Sequence, residues 1–146
     1  MKINMEVDEN AQGSSFLIPV GKYPVRVLVV DDKDDDGNDK RSRAGDPQFS
    51  LKLEVHGHKT WVWNTLTLIP KGKPGHGIAV HALKCFGISI EKSSVNFETQ
   101  DLKGKTAMAE LGIKKNEEGK EKNEVKTYDY LTEKIEWSPI EEEVPF

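Results

Sequence analysis

A single cysteine, Cys85, is all the chain contains, so no disulfide can form within it, in keeping with a reducing compartment. Long apolar runs are also missing. The longest, Val25 to Val30 and Leu66 to Pro70, fall far short of the roughly 18 to 20 residues that span a bilayer. A transmembrane segment and a membrane partner are therefore not expected. The opening Met1-Lys2-Ile3-Asn4-Met5-Glu6-Val7-Asp8 has no apolar stretch leading to a small-residue cleavage site. A secretory signal is not expected either, and the expected compartment is the cytoplasm. Aromatic residues make up only 8% of the chain and hydrophobic residues 36%, a modest share but more than a wholly disordered chain carries. What is present, 146 residues, is the size of one domain whose core folds without a disulfide or metal staple.

Charge of one sign is missing from most of the chain. The formal net charge is −4, and the segment from Glu133 onward, with Glu133, Glu136, Glu141, Glu142 and Glu143 against Lys134, accounts for all of it. The residues before it balance, 20 acids against 20 bases. An acidic sequence pI of 5.6 therefore reports the tail and does not exclude a polyanionic ligand for the body. Residues 1–132 read as the folded domain and 133–146 as an acidic C-terminal tail.

The body reads as strands. The first fifteen residues are polar and end in Gly13-Ser14-Ser15, an arm or short edge strand. Phe16 to Val20 leads through Gly21 into Tyr23 to Val30, a β-branched first strand whose Pro19 and Pro24 suit a strand start or edge. Asp31 to Asp46 holds seven Asp and four Lys or Arg and reads as a flexible charged loop. Phe49 to Val55 alternates without error, with Phe49, Leu51, Leu53 and Val55 on the core side. The turn His56-Gly57-His58-Lys59 joins it to an antiparallel third strand, Thr60 to Leu68. There Val62, Asn64, Leu66 and Leu68 share one face, and Trp61, Trp63, Thr65 and Thr67 the other. A Pro, Gly and Lys loop follows. His76 to Phe86 then places Ile78, Ala82, Leu83 and Phe86 at helical spacing, with Gly87 as the stop. Asn96 to Gly104 is a turn region, and Lys105 to Leu111 and Glu124 to Leu131 read as strands four and five. Five short strands with one short helix between the third and fourth form the order of a mainly β, five-stranded OB-fold barrel, with an SH3-like barrel or open α+β sheet as alternatives. In an OB-fold the faces of strands two and three and the loops between strands one and two and between four and five bind oligonucleotides or oligosaccharides.

Those are the parts where the chain carries unusual residues. Bases stack on exposed aromatics, and lysine or arginine neutralises phosphate, so Trp61 and Trp63 beside Lys59 and Lys52 suit single-stranded nucleic acid; the competing reading makes one tryptophan barrel core. Tyr128 and Tyr130 repeat the spacing, with Lys126 on their side. Val125, Thr127, Asp129 and Leu131 make no convincing core face, so one tyrosine-bearing face points inward. Lys40, Arg41 and Arg43 in the first loop, Lys71 and Lys73 after strand three, and Lys114, Lys115, Lys120 and Lys122 in the late loop can track a phosphate backbone, although each cluster alone reads as solvated surface.

Other chemistries have weaker support. Asp32-Lys33-Asp34-Asp35-Asp36-Gly37 opens like an EF-hand loop, but Arg43 stands where a bidentate Glu belongs. His56 and His58 lack the further ligands that zinc needs. Lys71 to Gly77 lacks the Gly-Lys-Ser/Thr order of a P-loop, and no nucleophile elbow or acid and base pair stands out. A cofactor, a metal site and an enzymatic activity are accordingly not expected.

Glu141-Glu142-Glu143-Val144-Pro145-Phe146 combines an acidic run with an apolar end, the anchor and rim of a protein-binding peptide. It resembles the tip, Asp-Asp-Asp-Ile-Pro-Phe, that ends bacterial single-stranded DNA-binding proteins and docks replication and recombination enzymes. The body, through Leu17 to Tyr23, Phe49 to Val55, Trp63 to Leu68 and Leu102 to Lys105, resembles the single-OB-fold single-stranded DNA-binding proteins of bacteriophages across most of residues 16 to 131. Bacterial members carry a long linker before the tip; here only Trp137-Ser138-Pro139 stands between. The resemblance implies a largely sequence-independent single-stranded DNA-binding protein of phage type, acting in DNA replication, recombination or repair in the host cytoplasm. It would be a monomer or dimer and recruit proteins through residues 141–146. The alternatives are a protein-protein assembly module and an OB-fold binder of RNA or oligosaccharide.

Overall fold

The structure, a computed structural model, describes residues 1–6, 17–91 and 93–139; most of the N-terminal arm and the whole tip from residue 140 to 146 lie outside the described residues. The elements are β1 (Gly21–Asp31), β2 (Gln48–Val55), β3 (Trp61–Thr67), α1 (His76–Cys85), a 3-10 turn (Thr99–Leu102), β4 (Thr106–Lys115) and β5 (Glu121–Asp129). All ladders are antiparallel, in the order β3-β2-β1-β4-β5. That order makes β3 and β5 run in the same direction. They meet without a ladder, joined by Asn64 Nδ2 donating to Tyr128 Oη at 2.7 Å. The result is a nearly closed five-stranded barrel with one short helix between β3 and β4, the OB-fold arrangement expected from the sequence.

The strands form where the alternation demands them. Every second residue of β2, Phe49, Leu51, Leu53 and Val55, is buried. β1 carries the same alternation through Val25 and Val27, and Leu28 is then the extra residue of a bulge. Val27 pairs with Leu53 but Val29 with Lys52, so Val30 turns in and Val29 out. A bulge bends and twists its strand, which lets β1 pair with β2 along Val25–Asp31 and with β4 along Gly21–Arg26. Ile18, Leu102, Leu111 and, from the helix, Leu83 and Phe86 complete the core, and among the described residues no polar or charged residue is buried in it.

The helix seals the end of the barrel where β3 leaves and β4 begins. Its buried stripe is Ala79, Ala82, Leu83 and Phe86, the i, i+3, i+4, i+7 set of one helix face. Ile78, expected in that stripe, is one residue out of phase and 74% exposed. Gly87 stops the helix as expected: at φ 87° it lets its own N–H reach the Lys84 carbonyl and the Ile88 N–H reach that of Leu83. The last two strands are longer than the sequence suggests, because Lys114, Lys115, Glu121 and Lys122 belong to the ladder. The Asp31 to Asp46 loop is organised by its own hydrogen bonds. Asp34 Oδ1 accepts the Asp36 and Asn38 N–H groups, both at 2.9 Å, and Arg41 bridges Pro47.

Candidate nucleic-acid interface

The alternation that buries Val62 and Leu66 turns Trp61 and Trp63 outward, 55% and 51% exposed. Neither is core. Lys52, outward on β2 opposite Trp63, lays its Nζ 3.9 Å from the Trp61 ring centroid. This cation–π contact orients the indole and leaves a positive charge at its face. Lys59 lies exposed in the turn just before Trp61.

Because β3 and β5 are not laddered together, a groove of about 710 Å³ opens between them. Trp61, Trp63 and Thr65 line one wall, and Lys114, Lys122 and Glu124 the other. Lys114 stands 4.0 Å from Glu124, so the far wall mixes charges. A second depression of about 360 Å³ continues the seam past Asn64, Thr65 and Val125 toward Lys126, Ile78 and His81. Aromatic faces, lysines and a channel between strands thus lie together along one seam.

The remaining basic residues sit elsewhere. Gln48 pairs with Thr67 and the Leu68 N–H donates to the Pro47 carbonyl at 2.8 Å. The loops bearing Arg41, Arg43, Lys71 and Lys73 therefore meet at the end of β3 opposite Trp61, roughly 20 Å away along seven residues of strand. All four are exposed. Basic side chains consequently bracket the β2–β3 face from both ends instead of converging on one spot.

On β5 the expected pairing of the tyrosines does not survive. Tyr128 is a core residue, 5% exposed, with its ring 4.9 Å from that of Phe86. Burial holds its phenol proton to far higher pH than usual, a shift that the Asn64 hydrogen bond only partly offsets. What remains of it at the surface borders the second depression. The cause is a second bulge: Leu111 pairs with Val125 but Glu110 with Thr127, leaving Lys126 as the extra residue. Val125 and Tyr128, of opposite parity in the sequence, both turn toward the core as a result. Lys126 projects outward with its stem packed over Gly112, where a Cβ would come within 2.5 Å of Lys126 Cε. Tyr130 lies beyond the end of β5, 52% exposed, its ring 6.3 Å from His81.

Three residues that sequence reasoning passed over, Arg26, Glu54 and Trp137, extend the outer face of β2 and β3. Arg26, Glu54 and Trp61 stand in register across β1, β2 and β3, all on the outer face. Arg26 donates through Nε and Nη2 to Glu54 Oε2 at 3.0 and 2.5 Å, and through Nη2 to the Ser138 carbonyl at 2.7 Å. Its guanidinium lies 5.2 Å from the centroid of Trp137, whose ring meets His56 edge-on at 5.4 Å. The tail is therefore tied to the barrel at Trp137 and Ser138. The outward parity of Arg26 and the Ile135-Glu136-Trp137 alternation were the available signals.

Compared with family sequence models and with curated protein sequences, the chain matches none. Among the described residues no helix is long and apolar enough to cross a membrane, and no three His, Cys, Asp or Glu side chains group as metal ligands. His56 is engaged by Trp137 and His58 by Tyr23, whose rings are 5.2 Å apart. Cys85 is buried, and burial pushes its thiol up, away from a reactive thiolate. Asp32 accepts hydrogen bonds from Thr99 and Gln100, which hold its carboxyl below the usual range.

Proposed function

We propose that this chain is a non-enzymatic, largely sequence-independent binder of single-stranded DNA. The observation that carries the reading is the pair of half-exposed tryptophans on adjacent outward positions of β3, one of them under a lysine ammonium. A single strand running along the seam would stack bases on Trp61 and Trp63 and place phosphates near Lys52, Lys59, Lys122 and Lys126. Arg41, Arg43, Lys71 and Lys73 would meet the same strand, or a neighbouring loop of it, at the far end. Aromatic stacking does not depend on base identity, and this accounts for sequence tolerance. Glu141, Glu142, Glu143, Val144, Pro145 and Phe146 would recruit replication, recombination or repair proteins, as their likeness to the bacterial tip suggests. The setting would be the cytoplasm, that of the host for a phage-encoded chain.

The test is a titration of tryptophan fluorescence with an oligo-dT of roughly 30 nucleotides at low and high salt, with the matching duplex as control. Strong quenching by the single strand alone, relieved by salt, is the expected result. No quenching and no mobility shift would overturn it in favour of a protein assembly module, and equal or tighter binding of the matching RNA would move the assignment to RNA.

A further inference from the structure

The outer wall of β1, β2 and β3 holds a third tryptophan that its own strands do not supply. Arg26 faces Glu54 and Glu54 faces Trp61, so Arg26 and Trp61 stand two strand spacings, about 10 Å, apart. Trp137 is seated on Arg26 by a 5.2 Å cation–π contact and by the bond from Arg26 to the next carbonyl, that of Ser138, while His56 meets the ring edge-on. The Arg26 and His56 contacts hold the indole, the bond to the Ser138 carbonyl fixes the backbone beside it, and the side chain stays half-buried. A solvated linker has no use for an aromatic anchored in this way. A single strand that follows β3 past Trp63 and Trp61 with Lys52, and then turns across β2, would next meet Trp137 on Arg26.

Resting on the single-strand reading above, we propose that Trp137 is a third base-stacking platform, so that the nucleic-acid surface extends over β1 onto the C-terminal segment. Stacking on one aromatic corresponds to roughly a 5- to 150-fold change in affinity. The spacing of about 10 Å between the anchoring backbones leaves room for an intervening nucleotide between the platforms.

Two full-length variants that keep one platform tryptophan each test this. W61F/W63F retains Trp137, and W63F/W137F retains Trp61; phenylalanine preserves stacking in both. At saturating oligo-dT and low salt, the emission of each is expected to be quenched and to recover as salt is added. In parallel, W137A is expected to raise Kd by roughly 5- to 150-fold and W137F to restore most of the loss. Should W61F/W63F bind too weakly to saturate, the W137A affinity decides. Quenching of the Trp61 protein but not of the Trp137 protein, or W137A binding as tightly as or more tightly than the unmodified chain, would overturn the proposal and leave the β3 reading standing. A chain with all three tryptophans that shifts no single strand in a mobility assay would overturn both.

Discussion

On β3 two tryptophans two positions apart both stand outside the barrel, half exposed. At the end of β5 two tyrosines with the same spacing part company, Tyr128 entering the core and Tyr130 projecting past the strand. Both pairs lie near an outward lysine, so neither composition nor spacing separates them. The ladders do. β3 pairs with β2 in unbroken register from Thr67 to Trp61, and parity along it is conserved. β5 loses one step at Lys126 against β4, which carries Tyr128 to the core side, and its ladder ends at Asp129, so nothing holds Tyr130 to that side. Aromatic spacing therefore marks a ligand face only on a strand whose partner keeps step.

The largest expected effects bear on this contrast directly. Replacing both tryptophans, W61A/W63A, removes two stacking platforms worth about 1 to 3 kcal/mol each and should weaken oligo-dT binding by roughly 100-fold or more. The melting temperature should hardly move, because both rings stand in solvent. Tyr128→Ala should do the reverse. It empties a site packed against Phe86 and orphans Asn64, at a cost of about 3 to 5 kcal/mol in chemical denaturation. DNA affinity of the fraction that remains folded should change little. If W61A/W63A destabilised and Tyr128→Ala selectively weakened binding, the roles of the two strands would be exchanged and the barrel would have to close differently.

A pH series sharpens the same contrast. The folded phenol of Tyr128 is held protonated to well above its unfolded value of 10.0, chiefly by burial. Between these two values the unfolded chain has lost the proton and the folded one keeps it, so stability falls as pH rises. The contribution is complete below the unfolded pKa and is lost as pH climbs from there toward the folded one. The slope can reach about 1.4 kcal/mol per pH unit for one group. Denaturant unfolding followed between neutral pH and about pH 11 should show this decline setting in near pH 10, and Tyr128→Phe should flatten it. The same variant costs about 1 to 3 kcal/mol at neutral pH, because the Asn64 amide loses its partner.

How far the sequence disclosed this follows from the range of the forces involved. Local signals were legible: the alternation of Phe49 to Val55, the shared face of Trp61 and Trp63, and the stop at Gly87 each depend on neighbours a few residues away, whereas which side of β3 faces the core depends on the whole barrel. The bulges at Leu28 and Lys126 were not, because each is a mismatch in length between one strand and a partner 14 to 26 positions distant, invisible in either strand alone. The buried edge of α1 was missed by one residue, Ile78 for Ala79, since both lie at the border of the same stripe and only packing against the barrel selects the smaller. Trp137 escaped for the same reason as the bulges. Its partner Arg26 lies at the other end of the chain, and although the Ile135-Glu136-Trp137 alternation and the outward parity of Arg26 are each visible locally, nothing local joins the two.

The smallest expected effect falls on Tyr130, and it separates exposure from membership of the face. Tyr130 is exposed to the same degree as Trp63, 52% against 51%, yet it lies beyond the last ladder pair of β5, beside His81 at the helix end of the barrel. His81 is itself held by its Nε2–H donating to the Tyr128 carbonyl at 2.8 Å, so the edge contact fastens Tyr130 beside the second depression, which His81 lines, and not to the groove that Trp61 and Trp63 line. Tyr130→Ala should cost within about 0.5 kcal/mol of stability, the usual range for a surface residue outside a network. It should change oligo-dT affinity less than threefold, against the far larger loss expected for Trp63→Ala in the same titration. If Tyr130→Ala instead matched Trp63→Ala, the single strand would run on past the seam to the helix, and solvent exposure would outweigh strand register in defining the face.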